Sequence, residues 1–132
     1  MNANRGIPVV LDTNFLLLPF QHRVDIFREI ERLLEEPHYF VIVKQTLDEL
    51  KELAKRQRTD SPAARAALAL AEKKEFLVEG SLKGDADKAI VQFCSTHSGA
   101  VVCTKDKKLQ DKVRAVGARV ISSRDKGYLG IR

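Results

Sequence analysis

The apolar segment Ile7-Pro8-Val9-Val10-Leu11, together with the acid that follows it, constrains the fold of this chain most. A continuous run of Val, Ile and Leu is typical of a strand that is buried on both faces in the middle of a parallel sheet. Asp12 would then lie at the carboxyl end of the strand, which is where open α/β sheets bind ligands. A turn is the other interpretation, because Asp12, Thr13 and Asn14 can all bond to local backbone and begin a helix. The rest of the chain decides between the two.

Strands and helices are predicted to alternate along the chain. After the first strand, further strands are predicted at 39–43, 76–78, 100–104 and 120–121. Apolar residues at helical spacing predict helices at 24–34, 46–54, 63–71, 85–97 and 106–116. Such alternation indicates right-handed crossovers and a parallel sheet with helices on both faces. We therefore predict an α/β fold, a three-layer α/β/α sandwich with a parallel sheet of about five strands, formed by residues 1–132 as a single domain.

Acidic residues recur where the predicted strands end. Asp12 and Asp106 directly follow strands, whereas Glu49 and Asp87 are predicted in the first turns of helices that follow strands. Each also has a local structural interpretation. Thr46 and Glu49 have the spacing of a capping box, Asp87 suits the positive end of a helix dipole, and a helix N-cap explains Asp106. These interpretations explain the residue types, but they do not explain why four carboxylates should meet at one edge of the sheet.

A cluster of carboxylates needs protons or cations to be stable. Two carboxylates about 4 Å apart repel each other by roughly 4 kcal/mol at an effective dielectric constant near 20. Oxygen-only ligands select hard cations such as Mg²⁺ or Mn²⁺. In nucleases, such ions activate water and hold a phosphodiester. The four acids therefore favour a metal-dependent nuclease.

An excess of positive charge is the second chemical signal. The chain has 23 Lys and Arg against 18 Asp and Glu, a formal net charge of +5. Such a charge favours a polyanionic partner, although a basic cluster can also be a solvated helix face. The candidate residues for contacts with RNA are Lys55, Arg56, Arg58, Lys105 and Lys107.

The amino terminus and the two cysteines bear on the compartment. The first six residues contain no apolar segment of the kind found in secretory signals. Cys94 and Cys103 are therefore expected to be reduced thiols. No apolar run approaches the length of a membrane span. We expect a cytoplasmic protein with no membrane partner.

Four motifs occur in order along the chain: Val10-Leu11-Asp12-Thr13-Asn14, a helical Glu at position 49, Ala86-Asp87-x-x-Ile90 and Thr104-x-Asp106-x-x-Leu109. Together they resemble the PIN domain family, whose members are mostly Mg²⁺- or Mn²⁺-dependent endoribonucleases. The resemblance covers essentially the whole chain and implies the strand order 3-2-1-4-5. It also implies that four acids both bind the metal and carry the catalysis, and that two further residues support the site. The implied ligands are Asp12, Glu49, Asp87 and Asp106, and the supporting residues are Asn14 and Thr104.

Other segments narrow the resemblance. Leu18-Pro19-Phe20, the helix start at 24–27 and Tyr128-Leu129 look most like the archaeal relatives of the PIN endonucleases that process small-subunit ribosomal RNA. The implied partner is RNA, either single-stranded or structured ribosomal RNA, and a homodimer is a candidate assembly. Lys105 departs from the family, which often has Asn at this position, so the local geometry and charge of the site are left open.

Two alternatives to ribosomal RNA processing stay open at this stage. Stand-alone PIN domains of this length include toxin ribonucleases, and that alternative adds an antitoxin partner. The other alternative is a PIN scaffold that binds RNA without cleaving it. The presence of all four expected acids argues against the scaffold.

Overall fold

The computed structural model of the protein describes residues 6–57, 59, 61–123 and 129–131. Within these residues the elements in chain order are β1 (Ile7–Leu11), α1 (Thr13–His22), α2 (Ile26–Leu33), β2 (His38–Val43), α3 (Lys44–Lys55), α4 (Ser61–Lys73), β3 (Leu77–Glu79), α5 (Ala86–Thr96), β4 (Val101–Cys103), α6 (Lys107–Ala115), β5 (Arg119–Ser123) and β6 (Leu129–Ile131). In the same residues, no helix is both long enough and apolar enough to cross a bilayer.

The strands form one sheet in the order β3-β2-β1-β4-β5-β6. The first five pair in parallel, which confirms the predicted order 3-2-1-4-5. The sixth corrects the prediction of a wholly parallel sheet, because β6 pairs antiparallel with β5, with Ile121 opposite Ile131. Contacts distant in sequence support this short strand, since Arg32 Nη2 donates to the Leu129 carbonyl at 3.2 Å. Three residues with a central glycine carry little strand signal of their own.

Helices cover the sheet on both faces, as predicted. Val9 and Leu11 of the central strand pack in one core with α1, α2, α3 and α4, whereas Val10 packs in a second core with α5 and α6. Successive side chains of a strand point to opposite faces, so a strand covered on both sides must be apolar at every position. The apolar run at positions 9–11 is therefore explained by the helices that cover both faces of the sheet.

Helix α1 was not predicted from the sequence. It begins directly after β1, where Asp12 caps it by accepting a hydrogen bond from the Phe15 backbone N–H at 3.0 Å. Three leucines continue the apolar run of the strand, and Pro19 lies inside the helix, where proline normally signals its end. The helix ends at His22, and Arg23 takes a left-handed conformation with φ 55°.

The predicted capping box in α3 is wrong. The helix begins at Lys44, immediately after β2, and its N-cap Val43 supplies no side-chain hydrogen bond. Thr46 is therefore inside the helix and fully buried, and Glu49 lies beyond the first turn. The reason is that β2 passes directly into α3, so the helix starts before the first residue with a capping side chain.

The sequence Ser61-Pro62 is typical of an N-cap and the helix position after it, but Ser61 is itself the first residue of α4. Its hydroxyl donates to the Leu53 carbonyl at 2.9 Å, which joins α4 to the end of α3. On the other face, the sequence predicts Asp85 and Asp106 as helix caps, and both predictions are confirmed. Asp85 caps α5, Asp106 caps α6, and Gly117 follows the end of α6 with φ 93°.

Candidate active site

Asp12 occupies the carboxyl end of the central strand and is only 7% exposed. Its Oδ1 accepts from the Phe15 backbone N–H, and its Oδ2 accepts from the hydroxyl of Thr104. Its backbone N–H donates to the Cys103 carbonyl of the neighbouring strand at 3.2 Å. The carboxylate is thus held in place through both oxygens, and the helix-cap role coexists with a position at the ligand-binding edge.

Thr104 connects two of the predicted acids. While its Oγ1 donates to Asp12, the same oxygen accepts from the Asp106 backbone N–H at 3.0 Å. Asp106 in turn caps α6, with Oδ1 accepting from the N–H groups of Lys108 at 2.9 Å and Leu109 at 3.3 Å. Both cap bonds end on Oδ1, so Oδ2 takes no part in the cap. One buried hydroxyl therefore couples the ends of β1 and β4.

Gln110 fixes the backbone of Thr104 by a hydrogen bond. This residue was not identified from the sequence. Its Nε2 donates to the Thr104 carbonyl at 3.0 Å and to the Ser122 hydroxyl at 3.1 Å. The residue is 8% exposed and lies on α6 next to buried Leu109. A glutamine beside the apolar face of a helix is the signal that could have singled it out.

Asp87 lies in the first turn of α5, as predicted. The start of this helix is held by the Asp85 cap, which accepts from the Lys88 N–H at 2.9 Å. Gln45 of α3 contacts the loop that precedes α5. Its Nε2 donates to the carbonyls of Leu82 at 2.8 Å and Gly84 at 3.1 Å. Helices on opposite faces of the sheet are joined through this loop.

The charges of the acids act on one another. The pKa of Asp12 is raised to about 6, mainly by burial and also by the charges of Asp87 and Asp106, against the hydrogen bonds from Thr104 and Phe15. An Asp12 that is half protonated near pH 6 signals a negative charge with too little compensation. A cation at this edge would supply it.

The pKa of Asp87 is raised in the same direction. Burial, followed by the charges of Asp106, Asp85 and Glu49, raises its pKa, while the ammonium of Lys112 lowers it. The structure therefore brings Asp12, Asp87 and Asp106 into mutual electrostatic range. Glu49 is exposed on α3 and acts on Asp87.

The supporting and basic residues fall in different places. Asn14 is exposed in the first turn of α1, and Lys105 and Lys107 are exposed on either side of Asp106. Lys55 ends α3, six residues beyond Glu49, which is about 9 Å along a helix axis. Arg56 follows it and is also exposed. Arg58, the third member of that predicted cluster, lies outside the described residues.

The donor chemistry fits a hydrated hard cation. Across residues 6–57, 59, 61–123 and 129–131, no three His, Cys, Asp or Glu side chains converge into a ready-made metal cage. Mg²⁺ commonly keeps several waters and uses only one or two carboxylates, so an open acidic edge is a fitting arrangement for it. The two thiols do not compete, because Cys94 and Cys103 are buried.

Comparisons with known proteins agree with this geometry. The family model described as a PIN like domain matches residues 9–126. This chain belongs to the PIN domain family. The match covers β1 to β5 and contains all four predicted acids, and it confirms the family resemblance of the motifs.

This PIN domain is similar in sequence to a ribonuclease and in structure to two solved proteins. It is 32% identical to Ribonuclease VapC4 of Methanocaldococcus jannaschii over 124 residues, 93% of this chain and 95% of that protein. Its structure resembles that of the PIN domain endonuclease Utp24, with a TM-score of 0.79, 26% identity, and 95% of this chain and 90% of the other covered. VapBC2 from Rickettsia felis, bound to a DNA fragment from its promoter, has a TM-score of 0.59 at 12% identity, covering 86% of this chain and 98% of the other, and shares the fold alone.

Proposed function

We propose that this PIN domain is a metal-dependent endoribonuclease that hydrolyses RNA phosphodiester bonds. The observation that carries the proposal is Asp12, which is joined through Thr104 to Asp106 and whose pKa is raised by burial and by the nearby acids. The similarity to Ribonuclease VapC4 and to the endonuclease Utp24 supports RNA cleavage as the reaction.

The residues that would hold Mg²⁺ or Mn²⁺ are the four acids of the PIN motifs: Asp12, Glu49, Asp87 and Asp106. A bound cation of this kind supplies an activated water and neutralises charge on the phosphodiester. The chain itself orients the acids. The Thr104 hydroxyl and the Phe15 N–H fix the two oxygens of Asp12, and the α6 cap leaves Oδ2 of Asp106 outside the cap.

Basic and polar residues around the acids would hold the RNA. Lys105 and Lys107 flank Asp106 and would contact the phosphates next to the cleaved bond. Asn14, exposed beside the Asp12 cap, would support the site by hydrogen bonding. Lys55 and Arg56, further along α3, would contact a more distant part of the strand.

A cleavage assay with defined metal content tests the proposed function. Purified protein is incubated with end-labelled single-stranded RNA in EDTA and in Mn²⁺ or Mg²⁺. Internal cleavage in the presence of the metal, and none in EDTA, is expected. If the folded protein cleaves no RNA under either condition, the result would contradict the proposal and favour a PIN scaffold that binds RNA without cleaving it.

Metal binding is expected to raise the thermal stability of the protein. Binding to the native state adds about 2.7 kcal/mol when the free metal is 100-fold above its Kd. For a chain of 132 residues this corresponds to a rise in Tm of about 10 °C, measured by differential scanning fluorimetry in Mn²⁺ against EDTA. K⁺ at the same ionic strength controls for a general salt effect. A Tm that does not depend on Mn²⁺ would argue against the metal site.

Glu49→Gln is expected to weaken Mn²⁺ binding at least about tenfold and to slow cleavage, with metal-free stability unchanged or raised. Glu49 is exposed and lies beyond the first turn of α3, so the variant loses no cap, and it removes a charge that raises the pKa of Asp87. Glu52→Gln, also exposed and one turn later on the same helix, is the matched control. Parental cleavage by a folded Glu49→Gln protein would remove this residue from the site.

Ribosomal RNA processing is the role that we favour in the cell. The resemblance of Leu18-Pro19-Phe20 to the archaeal processing relatives and the structural likeness to Utp24 support it. The similarity to Ribonuclease VapC4 keeps the toxin role, with an antitoxin partner, as the second candidate. Sequencing RNA crosslinked in the native cell to an Asp12→Asn protein separates them, since recovery of ribosomal RNA precursors is expected only for processing. Sedimentation of the same protein tests the predicted homodimer.

A further inference from the structure

A groove between α5 and α6 opens beside the acidic edge. It has a volume of about 240 Å³ and is lined by Asp87, Lys88, Val91, Gln92 and Lys112. Sites that enclose a whole small ligand usually measure about 300–1,000 Å³. This groove is smaller, so it suits one unit of a longer chain better than a complete small molecule.

The lining of the groove combines positive charge with an apolar floor. Lys88 and Lys112 are exposed and come from two different helices, while Val91, which also lines the groove, is half-buried. Lys112 and Asp87 line the same groove, which places the ammonium beside one of the acids of the candidate site. A phosphate beside a ribose or base has the matching pattern, an anion for the lysines and a flat, partly apolar surface for the valine.

We propose that this groove binds one phosphate–ribose unit of the RNA strand next to the bond that is cleaved, with Lys112 as the main phosphate contact. The proposal rests on the proposed endoribonuclease function and gives it a path for the strand. That path runs over α5 and α6, on the opposite face of the sheet from α3, which carries Lys55. The basic cluster that the sequence emphasised and the groove are therefore separate contacts.

Substitutions of Lys112 test the groove. Affinity for a fluorescent single-stranded RNA is measured by anisotropy over a range of salt, in an Asp12→Asn background that prevents cleavage. Lys112→Gln is expected to weaken binding about fivefold and to reduce the logarithmic salt slope by about 0.7, the value for one phosphate contact. Lys112→Arg keeps the charge and is expected to bind like the background protein. Lys73→Gln, the same change on α4 at the opposite face, is expected to have no effect.

A thiol footprint gives a second, independent measurement. The natural thiols are poor nucleophiles, because burial raises the pKa of Cys94 to about 12 and raises that of Cys103 well above its usual value. Gln92→Cys therefore adds the reactive thiol within the groove. RNA is expected to slow its alkylation by iodoacetamide several-fold, while Lys73→Cys on α4 keeps its rate.

The outcomes separate this proposal from the function on which it rests. One outcome is that the parent cleaves RNA while Lys112→Gln leaves the affinity unchanged and RNA leaves the alkylation rate of Gln92→Cys unchanged. That result overturns the proposal for the groove and keeps the endoribonuclease function. If the background protein binds no RNA, the groove is overturned, and if the parent also cleaves none, both proposals are overturned. An equal loss of affinity in Lys112→Gln and Lys73→Gln would show a general charge effect and would also overturn the groove.

Discussion

Asp12→Asn is expected to reduce the rate of RNA cleavage at least about a thousandfold, which corresponds to about 4 kcal/mol of lost transition-state stabilisation. Asparagine has nearly the same shape and caps helices about as well as aspartate, so its Oδ1 can still accept from the Phe15 N–H. The variant removes the buried negative charge. Single-turnover cleavage in saturating Mn²⁺ measures the effect, with circular dichroism to show that the fold is retained.

Asp25→Asn is the matched control for this prediction. Asp25 caps α2 in the same manner, accepting from the Arg28 N–H at 3.1 Å, but it is exposed and is not one of the four acids of the motifs. Its substitution makes the same chemical change at another helix N-terminus and is expected to leave cleavage at the parental rate. Cleavage by Asp12→Asn within a few-fold of the parent would contradict the central role given to this carboxylate.

The metal-free protein is expected to lose stability as the pH rises through the titration of Asp12. The folded-state pKa of about 6 lies above the ordinary value of 3.8, so between these pH values the folded protein binds the proton more tightly than the unfolded chain does. Stability from this group is fully present below pH 3.8 and is lost as the pH passes 6. The shift of about two pKa units corresponds to about 3 kcal/mol, of which about 2 kcal/mol falls between pH 4 and pH 8.

Urea unfolding of parent and Asp12→Asn in EDTA at these two pH values measures this effect. From pH 4 to pH 8, the free energy of unfolding of the variant is expected to rise relative to that of the parent by about 2 kcal/mol. Mn²⁺ at pH 8 is expected to stabilise the parent and to have little effect on the variant. Asp25→Asn should follow the parent at both pH values. Identical pH profiles for the parent and Asp12→Asn would show that the buried carboxyl titrates normally.

Local signals in the sequence predicted most of the secondary structure and the places of Asp12, Asp87 and Asp106, although Glu49 lies beyond the helix turn predicted for it. The central strand could be recognised because burial on both faces requires an apolar residue at every position. The caps at Asp85 and Asp106 were predictable since a cap is a hydrogen bond between residues two or three positions apart. The placement of Asp87 in the first turn of α5 follows from the Asp85 cap.

Local signals failed where they conflicted or where a boundary depended on packing. In α1, the leucine run continued the strand pattern and Pro19 argued against a helix, although the Asp12 cap started one. In α3, Thr46 had the sequence of a capping box, but the helix began two residues earlier because β2 passes straight into it. Neither outcome could be read from propensity, since both depend on where the preceding strand leaves the sheet.

The sequence by itself determined the alternation of strands and helices, the family motifs and the carboxylates at the strand ends, because these depend on periodicity and on near neighbours. Only the tertiary structure decided which side chains come together at the acidic edge. The Thr104 hydroxyl reaches Asp12 across 92 positions of the chain, and Lys112 and Asp87 line one groove only because α5 and α6 pack side by side. Strand β6 likewise exists through its pairing with β5. Such contacts join residues that are distant in sequence, and no local pattern specifies which of the available partners will meet.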